Sequence, residues 1–237
     1  MIMKGKLYLI PSPLGDNDPA EVIPAAVLER IQHITTYVVE EERTVRRYLS
    51  RAGLKGHIQE LELHVLNEHT TAQEISAMGA LFEDGRDVGL ISEAGLPAVA
   101  DPGSALVALC HEKGIEVVPM VGPSSLMLAL MGSGMNGQSF AFCGYLPAKT
   151  DERRNAIRDI EKISASRKQS QIFIETPYRN DSLFNDLLQH CQASTRICIA
   201  CNVTMPDAYI KTKTVAEWRR NKVEIGKRPC VFILLAR

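Results

Sequence analysis

The tightest constraint on this chain lies between positions 88 and 113. Val88-Gly89-Leu90-Ile91 is a short apolar run that stops at Ser92-Glu93, and Gly95, Pro97, Pro102 and Gly103 then punctuate the backbone before a helical pattern resumes near Ala105. Four apolar residues bounded by turn-forming residues read as a buried strand. A strand, a stiff loop and a helix in that order form the unit of a parallel sheet, whose strands need helical crossovers. In such sheets ligands sit beyond the carboxyl ends of the strands. Glycine admits close backbone approach and proline fixes φ, so the loop reads either as a preorganised cradle or as a well-made turn. A second loop of the same kind follows a strand at 115–119, where Met120-Val121-Gly122-Pro123-Ser124-Ser125 opens a helix through Met131. Ser124 and Ser125 place hydroxyls and N–H groups at a helix start, either for a ligand or as an ordinary cap. Two such loops on consecutive strands favour a shared ligand edge.

The alternation extends through the first half of the chain. Strands are predicted at 7–10, 36–39, 61–66, 88–91 and 117–118, and helices near 23–31, 42–51, 72–83 and 105–113. From Ser139 the rhythm changes, with strands at 138–142, 170–175, 196–201, 208–214 and 230–235 and a polar helix near 151–163. Late strands with few crossover helices predict a mixed sheet. The expected architecture is α/β in two domains with a cleft between them. Residues 1–118 carry a mostly parallel sheet with helical crossovers, and residues 119–237 carry a mixed sheet.

Composition narrows the function classes. A chain of 237 residues with 45% apolar and 23% charged residues is an ordinary globular protein with room for a core. Its net charge of −1 supplies no global positive field, so any nucleic-acid binding must use local patches. No apolar run reaches the ~18 residues of a membrane helix, and no signal peptide opens the chain, so a cytoplasmic location without membrane attachment is expected. The six cysteines lie in apolar contexts and read as reduced core thiols. Cys198 and Cys201 spell C-x-x-C, but in a strand they face opposite ways, so no metal site is expected there.

Glu40, Glu41 and Arg43 follow the strand at 36–39 and therefore stand at its carboxyl end. Arg43, Arg47 and Arg51, with Arg46 beside them, form a basic stripe that suits phosphates or an ordinary solvated face equally well. Arg153, Arg154 and Arg158 form a second stripe, for which the solvated face is favoured. His69, in Asn67-Glu68-His69, reads more readily as structural than as catalytic. No Gly-x-Gly-x-x-Gly follows any strand, so the dinucleotide fingerprint is missing and the residues alone name no cofactor.

Five spaced segments, in order along nearly the whole chain, carry a family resemblance. Ser12-Pro13-Leu14-Gly15-Asp16 resembles a Thr-Pro-Ile-Gly-Asn turn. Ser92-Glu93-Ala94-Gly95-Leu96-Pro97 with Ala100-Asp101-Pro102-Gly103 resembles Ser-Asp-Ala-Gly-Thr-Pro with Ser-Asp-Pro-Gly. Val121-Gly122-Pro123-Ser124-Ser125 is similar to Pro-Gly-Pro-Ser-Ala, and Gly144-Tyr145-Leu146-Pro147 to Gly-Phe-Leu-Pro. Glu175-Thr176-Pro177-Tyr178-Arg179 is similar to Glu-Ser-Pro-His-Arg. These are motifs of the tetrapyrrole methylase family, and within it of the branch that methylates a ribose 2′-oxygen in small-subunit ribosomal RNA.

The resemblance implies S-adenosylmethionine as methyl donor, folded between two domains and held largely by backbone. It assigns the donor to Pro11, Gly15, Ser92, Glu93, Ala94, Gly95, Pro97, Val99, Ser124, Ser125, Pro177, Tyr178, Asn202 and Val203. It also implies a homodimer and RNA of the small ribosomal subunit as partner. Removal of a ribose proton needs a base, and Glu40, Glu41 and Asp101 are the acids in question, with Arg43 beside them. Two departures stand out. The family's Ala-Glu-Asp-Thr-Arg appears as Val39-Glu40-Glu41-Glu42-Arg43, and the branch's Arg-Glu-Leu-Thr-Lys as Cys201-Asn202-Val203-Thr204-Met205. A corrin- or porphyrin-type methylase and a donor-binding regulator without catalysis therefore stay open as alternatives.

Overall fold

The computed structural model describes residues 4–236, which divide into two compact units, 4–124 and 125–236. The first is built on five parallel strands: β1 Leu7–Ile10, β2 Thr36–Val39, β3 Glu62–Val65, β4 Val88–Ile91 and β5 Val117–Pro119. They lie in the order β3-β2-β4-β1-β5. Pro119 pairs with Leu9, so β5 completes this sheet and the first unit runs on to Ser124, past the expected end at 118.

Side chains alternate across the sheet, and each face has its own cover. Tyr8, Ile10, Tyr37, Val39 and Ile91 pack under α2 (Ala25–Ile31) and α3 (Glu42–Leu49). Leu7, Val38, Val88 and Leu90 pack under Phe82 and under Leu106 and Cys110 of α5 (Ser104–Glu112). Burial on both faces explains why these strands read as continuous apolar runs. The expected helix at 72–83 is α4 (Ala72–Ala77), which starts with a Thr71–Glu74 capping box and then tightens into a narrower turn over Met78–Phe82. A four-residue α1 (Pro19–Val22) precedes α2.

The second unit opens with α6 (Ser125–Ser133) and holds a mixed sheet of β6 Phe140–Tyr145, β7 Ser170–Ile174, β8 Arg196–Cys201, β9 Tyr209–Thr214 and β10 Cys230–Leu235. The order is β6-β7-β10-β8-β9, with β6 and β7 parallel and the other three pairings antiparallel. Leu126, Ala129 and Leu130 of α6 join Ile172, Cys198, Val231 and Ile233 on one face. The other face lies under α7 (Thr150–Arg167), α8 (Asn180–His190) and α9 (Val215–Arg220). There Phe173 stacks on Phe232 at 5.8 Å, and the Trp218 indole donates to the Ile197 carbonyl at 2.9 Å. Cys198 and Cys201 fall in the cores on opposite faces, as strand geometry requires.

Two of these helices, α8 and α9, lie outside the sequence-based expectation of few late helices. In α8 the buried Leu183, Phe184, Leu187 and Leu188 recur at helical spacing. In α9 Thr214 and Glu217 form a capping box. The expected second basic stripe also dissolves. Arg153 is buried and donates to Asp186 at 2.6 Å and to Ser182 at 3.0 Å, while Arg154 pairs with Asp151.

Candidate functional site

In the first sheet, β1 and β4 are neighbours whose connections run to opposite sides. The chain passes from β1 over β4 to β2, and from β4 over β1 to β5. Their carboxyl ends thus flank the topological switch point, where an open α/β sheet leaves a crevice. The two loops that leave this point are pinned together. Ser12 and Gly95 exchange backbone hydrogen bonds at 2.9 and 3.1 Å, and the Ser12 hydroxyl donates to the Ser92 carbonyl at 3.1 Å. Gly95 lies at φ +83°, a left-handed conformation that a side chain would strain. The β5 loop closes on the same point. A Cβ at Gly122 would stand 2.2 Å from the Pro11 Cβ, so only glycine lets these loops meet.

The loop after β4 also stores strain. Ala98 and Ala100 both take left-handed backbone (φ 64°), on either side of the exposed Val99. Such residues cost ~1–3 kcal/mol each and concentrate at functional sites.

Carboxylates gather at this edge. Glu40 follows β2, Glu68 lies just beyond β3, and Glu93 and Asp101 belong to the loop after β4. Burial raises the Glu40 carboxyl above its ordinary value. The charges of Asp101, Glu93 and Glu68 add to the rise, while the backbone N–H of Glu93, donating to it, opposes. Its Oε2 is buried and has no hydrogen-bond partner among the described residues. Burial likewise pushes Asp101 up to about 6, with the Glu93 charge adding and the Ser92 hydroxyl opposing.

Glu41 has a different role. Its carboxylate caps α3, accepting from the N–H groups of Arg43 at 3.0 Å and Thr44 at 2.6 Å. Those bonds hold it below its ordinary value. The adjacent acids therefore diverge, Glu40 to the strand edge and Glu41 to the helix end.

The arginine stripe divides in the same way. Arg46 turns to the Ile58 carbonyl at 3.1 Å and to Glu42 at 3.3 Å. Arg51 is tied to Asp16 at 2.6 Å. Among the described residues no ion pair engages Arg43 or Arg47. Arg47 and Arg51 wall a pocket of about 260 Å³ whose other sides include Pro13, Leu14, Gly15 and Ala94. Beneath it, the buried Tyr48 hydroxyl donates to the Pro11 carbonyl at 2.8 Å and ties α3 to the β1 loop.

In the first unit, then, Pro11, Gly15, Glu40, Ser92, Glu93, Ala94, Gly95, Pro97, Val99 and Asp101 share the strand-end edge. Ser124 is that unit's last residue, and Ser125 starts α6 in the next. In the second unit Pro177 and Tyr178 follow β7, and Asn202 and Val203 follow β8. Both strands run antiparallel to β10, which lies between them, so these four residues share one sheet edge. There Glu175 is buried and accepts from Arg179 at 2.9 and 2.6 Å. Asn202 takes left-handed backbone (φ 46°) and donates to Asp207 at 2.7 Å. Tyr178 is 80% exposed, with the Lys227 ammonium 4.9 Å from its ring. The pocket contributions of Thr44 and Tyr48 escaped sequence reasoning, because as helix residues they carried no signal beyond amphipathic spacing. Glu68 stands in the polar cluster Asn67-Glu68-His69 just past a strand, and only the fold brings its charge to bear on Glu40. Asn67 organises that cluster by accepting from the His69 N–H at 2.9 Å.

The sequence profile of the Tetrapyrrole (Corrin/Porphyrin) Methylases matches residues 6–218, and the chain belongs to the tetrapyrrole methylase family. A curated relative, the ribosomal RNA small subunit methyltransferase I of Escherichia coli O157:H7, is 31% identical over 201 residues, covering 85% of this chain and 66% of the relative. The chain thus spans just under two thirds of that protein's length. Among solved structures, a diphthine synthase superposes with a TM-score of 0.69 at 14% identity, covering 98% of this chain and 90% of the other. A uroporphyrin-III C-methyltransferase from Thermus thermophilus, complexed with S-adenyl homocysteine, superposes with a TM-score of 0.61 at 17% identity, covering 98% and 97%. These likenesses confirm the two-unit α/β fold. Among the described residues no helix is long and apolar enough to cross a membrane, and no cluster of metal-ligating side chains occurs.

Proposed function

We propose that the chain is an S-adenosylmethionine-dependent methyltransferase that methylates a ribose 2′-oxygen of small-subunit ribosomal RNA, as a cytoplasmic homodimer. The carboxylate edge at the β1/β4 switch point carries this reading. A buried, unpaired Glu40 oxygen there calls for a hydrogen-bond donor, and a hydroxyl supplies one. The relatedness to ribosomal RNA methyltransferases supports RNA as the acceptor.

The edge also fits the donor. Its carboxylates suit a cationic ligand rich in hydroxyls, and Gly95 and Gly122 let the loops after β1, β4 and β5 close together into one edge lined by backbone. We assign Pro11, Gly15, Ser92, Glu93, Ala94, Gly95, Pro97, Val99 and Ser124 to the donor on this ground. Ser125, Pro177, Tyr178, Asn202 and Val203 of the second unit carry the same assignment through the family resemblance. When bound, S-adenosylmethionine supplies an electrophilic methyl group on a sulfonium.

The chain's own residues do the rest. A preorganised loop holds the acceptor in line, which lowers the entropic part of the barrier. A ribose hydroxyl is a poor nucleophile, and Glu40 accepts its hydrogen bond and then its proton. A carboxylate raised by burial is a stronger base than an exposed one, so the environment of Glu40 suits this step. Asp101, near 6, tunes that charge through its field. Glu41 keeps α3 and Arg43 in place. Methylation of purified small ribosomal subunits from a strain lacking the modification, run beside precorrins, tests the reading. Transfer to precorrins instead would assign the corrin-type activity, and donor binding without transfer to either would leave a regulator.

A further inference from the structure

We propose that the pocket between the β1 loop and α3 receives a single nucleotide drawn out of an unpaired stretch of the acceptor RNA, with its phosphate on Arg47. This assignment rests on the RNA reading above and names the subsite that reading lacks. Three observations converge on it.

The first is two-sided chemistry. The lining joins apolar Pro13, Leu14 and Ala94 to the guanidinium of Arg47, while Arg51 and Asp16 pair with each other and Glu93 adds a carboxylate on the side of the β4 loop. A nucleotide has this division, an apolar base joined to an anionic phosphate. The pocket, of about 260 Å³, has room for one such unit.

The second is the state of the arginines. Arg46 is turned away to the Ile58 carbonyl, and Arg51 is neutralised and fixed by Asp16. Arg47 is the arginine of this pocket that no ion pair engages among the described residues. A guanidinium in that state suits a phosphate, which it can grip through two N–H groups.

The third is continuity. Gly15, Glu93 and Ala94 line the pocket and also belong to the edge assigned to the donor, so nucleotide and donor would meet at these residues, and Ser12 joins the two loops through its bridge to Gly95. The pocket therefore opens onto the edge where transfer is proposed. A nucleotide must leave its stack to enter, which costs least where it is already unpaired.

The test measures equilibrium binding of a labelled single-stranded RNA oligonucleotide and of the same sequence as a duplex. Wild type, Arg47→Ala, Arg47→Glu and the remote control Arg154→Ala are compared. The single strand should bind wild type more tightly than the duplex, and Arg47→Glu should weaken that binding about tenfold or more. Loss of one phosphate contact should lower the salt slope by ~0.7, so that raising salt from 50 to 200 mM costs wild type ~2.6-fold more affinity than Arg47→Ala. Arg154→Ala should bind like wild type. Calorimetric affinity for S-adenosylmethionine should be the same in all four proteins, which shows that they are folded. Equal salt slopes in wild type and Arg47→Ala, or equal binding of duplex and single strand, overturn the pocket assignment. If wild type methylates RNA while the Arg47 variants bind it normally, the pocket assignment fails alone. If wild type neither binds nor methylates RNA, both readings fail.

Discussion

Replacing Asp101 with Asn should stabilise the protein increasingly as pH rises from about 4 to 6, and in full above that. Asp101 ionises near 3.8 in the unfolded chain and near 6 in the folded one, because burial at the strand edge disfavours its charge. Below 3.8 both states carry the proton and the group is neutral in the balance. Between 3.8 and 6 the unfolded chain releases its proton while the folded one keeps it, so stability falls as pH rises through this window. Above 6 the loss is complete. At full strength a change from 3.8 to about 6 is worth ~3 kcal/mol, and solvent screening at a half-exposed carboxyl reduces it to on the order of 1 kcal/mol. Urea unfolding of wild type and Asp101→Asn at pH 3.5, 5, 6 and 8 reads this directly. The midpoints should nearly coincide at pH 3.5 and separate in favour of the variant up to pH 6, then stay apart, with unchanged m values. A variant less stable than wild type at pH 8, or offset equally at every pH, would refute the claim that this edge holds a strained charge.

The two adjacent acids should separate cleanly in kinetics. Glu40→Gln should lower single-turnover methylation ~10²-fold or more with donor affinity little changed, whereas Glu41→Ala should cost ~1 kcal/mol of stability through the lost α3 cap and leave most of the turnover. Arg153→Ala should destabilise by about 3 kcal/mol or more, since it strands Asp186 beside a buried gap, yet leave the salt dependence of RNA binding untouched. Gly122→Ala should lower the unfolding midpoint by ~1–3 kcal/mol in equivalent stability, because its Cβ has no room beside Pro11.

The strands that frame the site were legible because parallel sheets leave a plain trace. Leu7, Ile10, Val39 and Ile91 sit in unbroken apolar runs, each ended by a residue that cannot continue a strand comfortably. Gly95 and Gly122 marked close backbone approach, and the structure supplies the reason at both. What stayed hidden depends on direction in space. Glu40 and Glu41 look alike in sequence, and only the onset of α3 decides that one caps the helix. Arg153 and Arg154 are neighbours on one helix, yet a turn of 100° takes Arg153 into the interior against Asp186. The helix α8 lies in a stretch for which the sequence pattern gave no element, although Leu183 and Leu187 stand one turn apart behind the polar Asn180 and Asp181. In the fold those residues cap nothing on α8; they reach across to the 225–228 turn, where Asn180 donates to carbonyls and Asp181 accepts from N–H groups.

The central claim is methyl transfer to a ribose oxygen at the strand-end edge. Its most direct test follows a labelled methyl group from S-adenosylmethionine into small-subunit RNA and then hydrolyses the RNA in alkali. A 2′-O-methyl group removes the hydroxyl that cleavage requires, so the label should emerge in an alkali-resistant dinucleotide, and Glu40→Gln should nearly abolish it. Label recovered on mononucleotides, which places the methyl on a base, or no label in RNA at all would contradict the account.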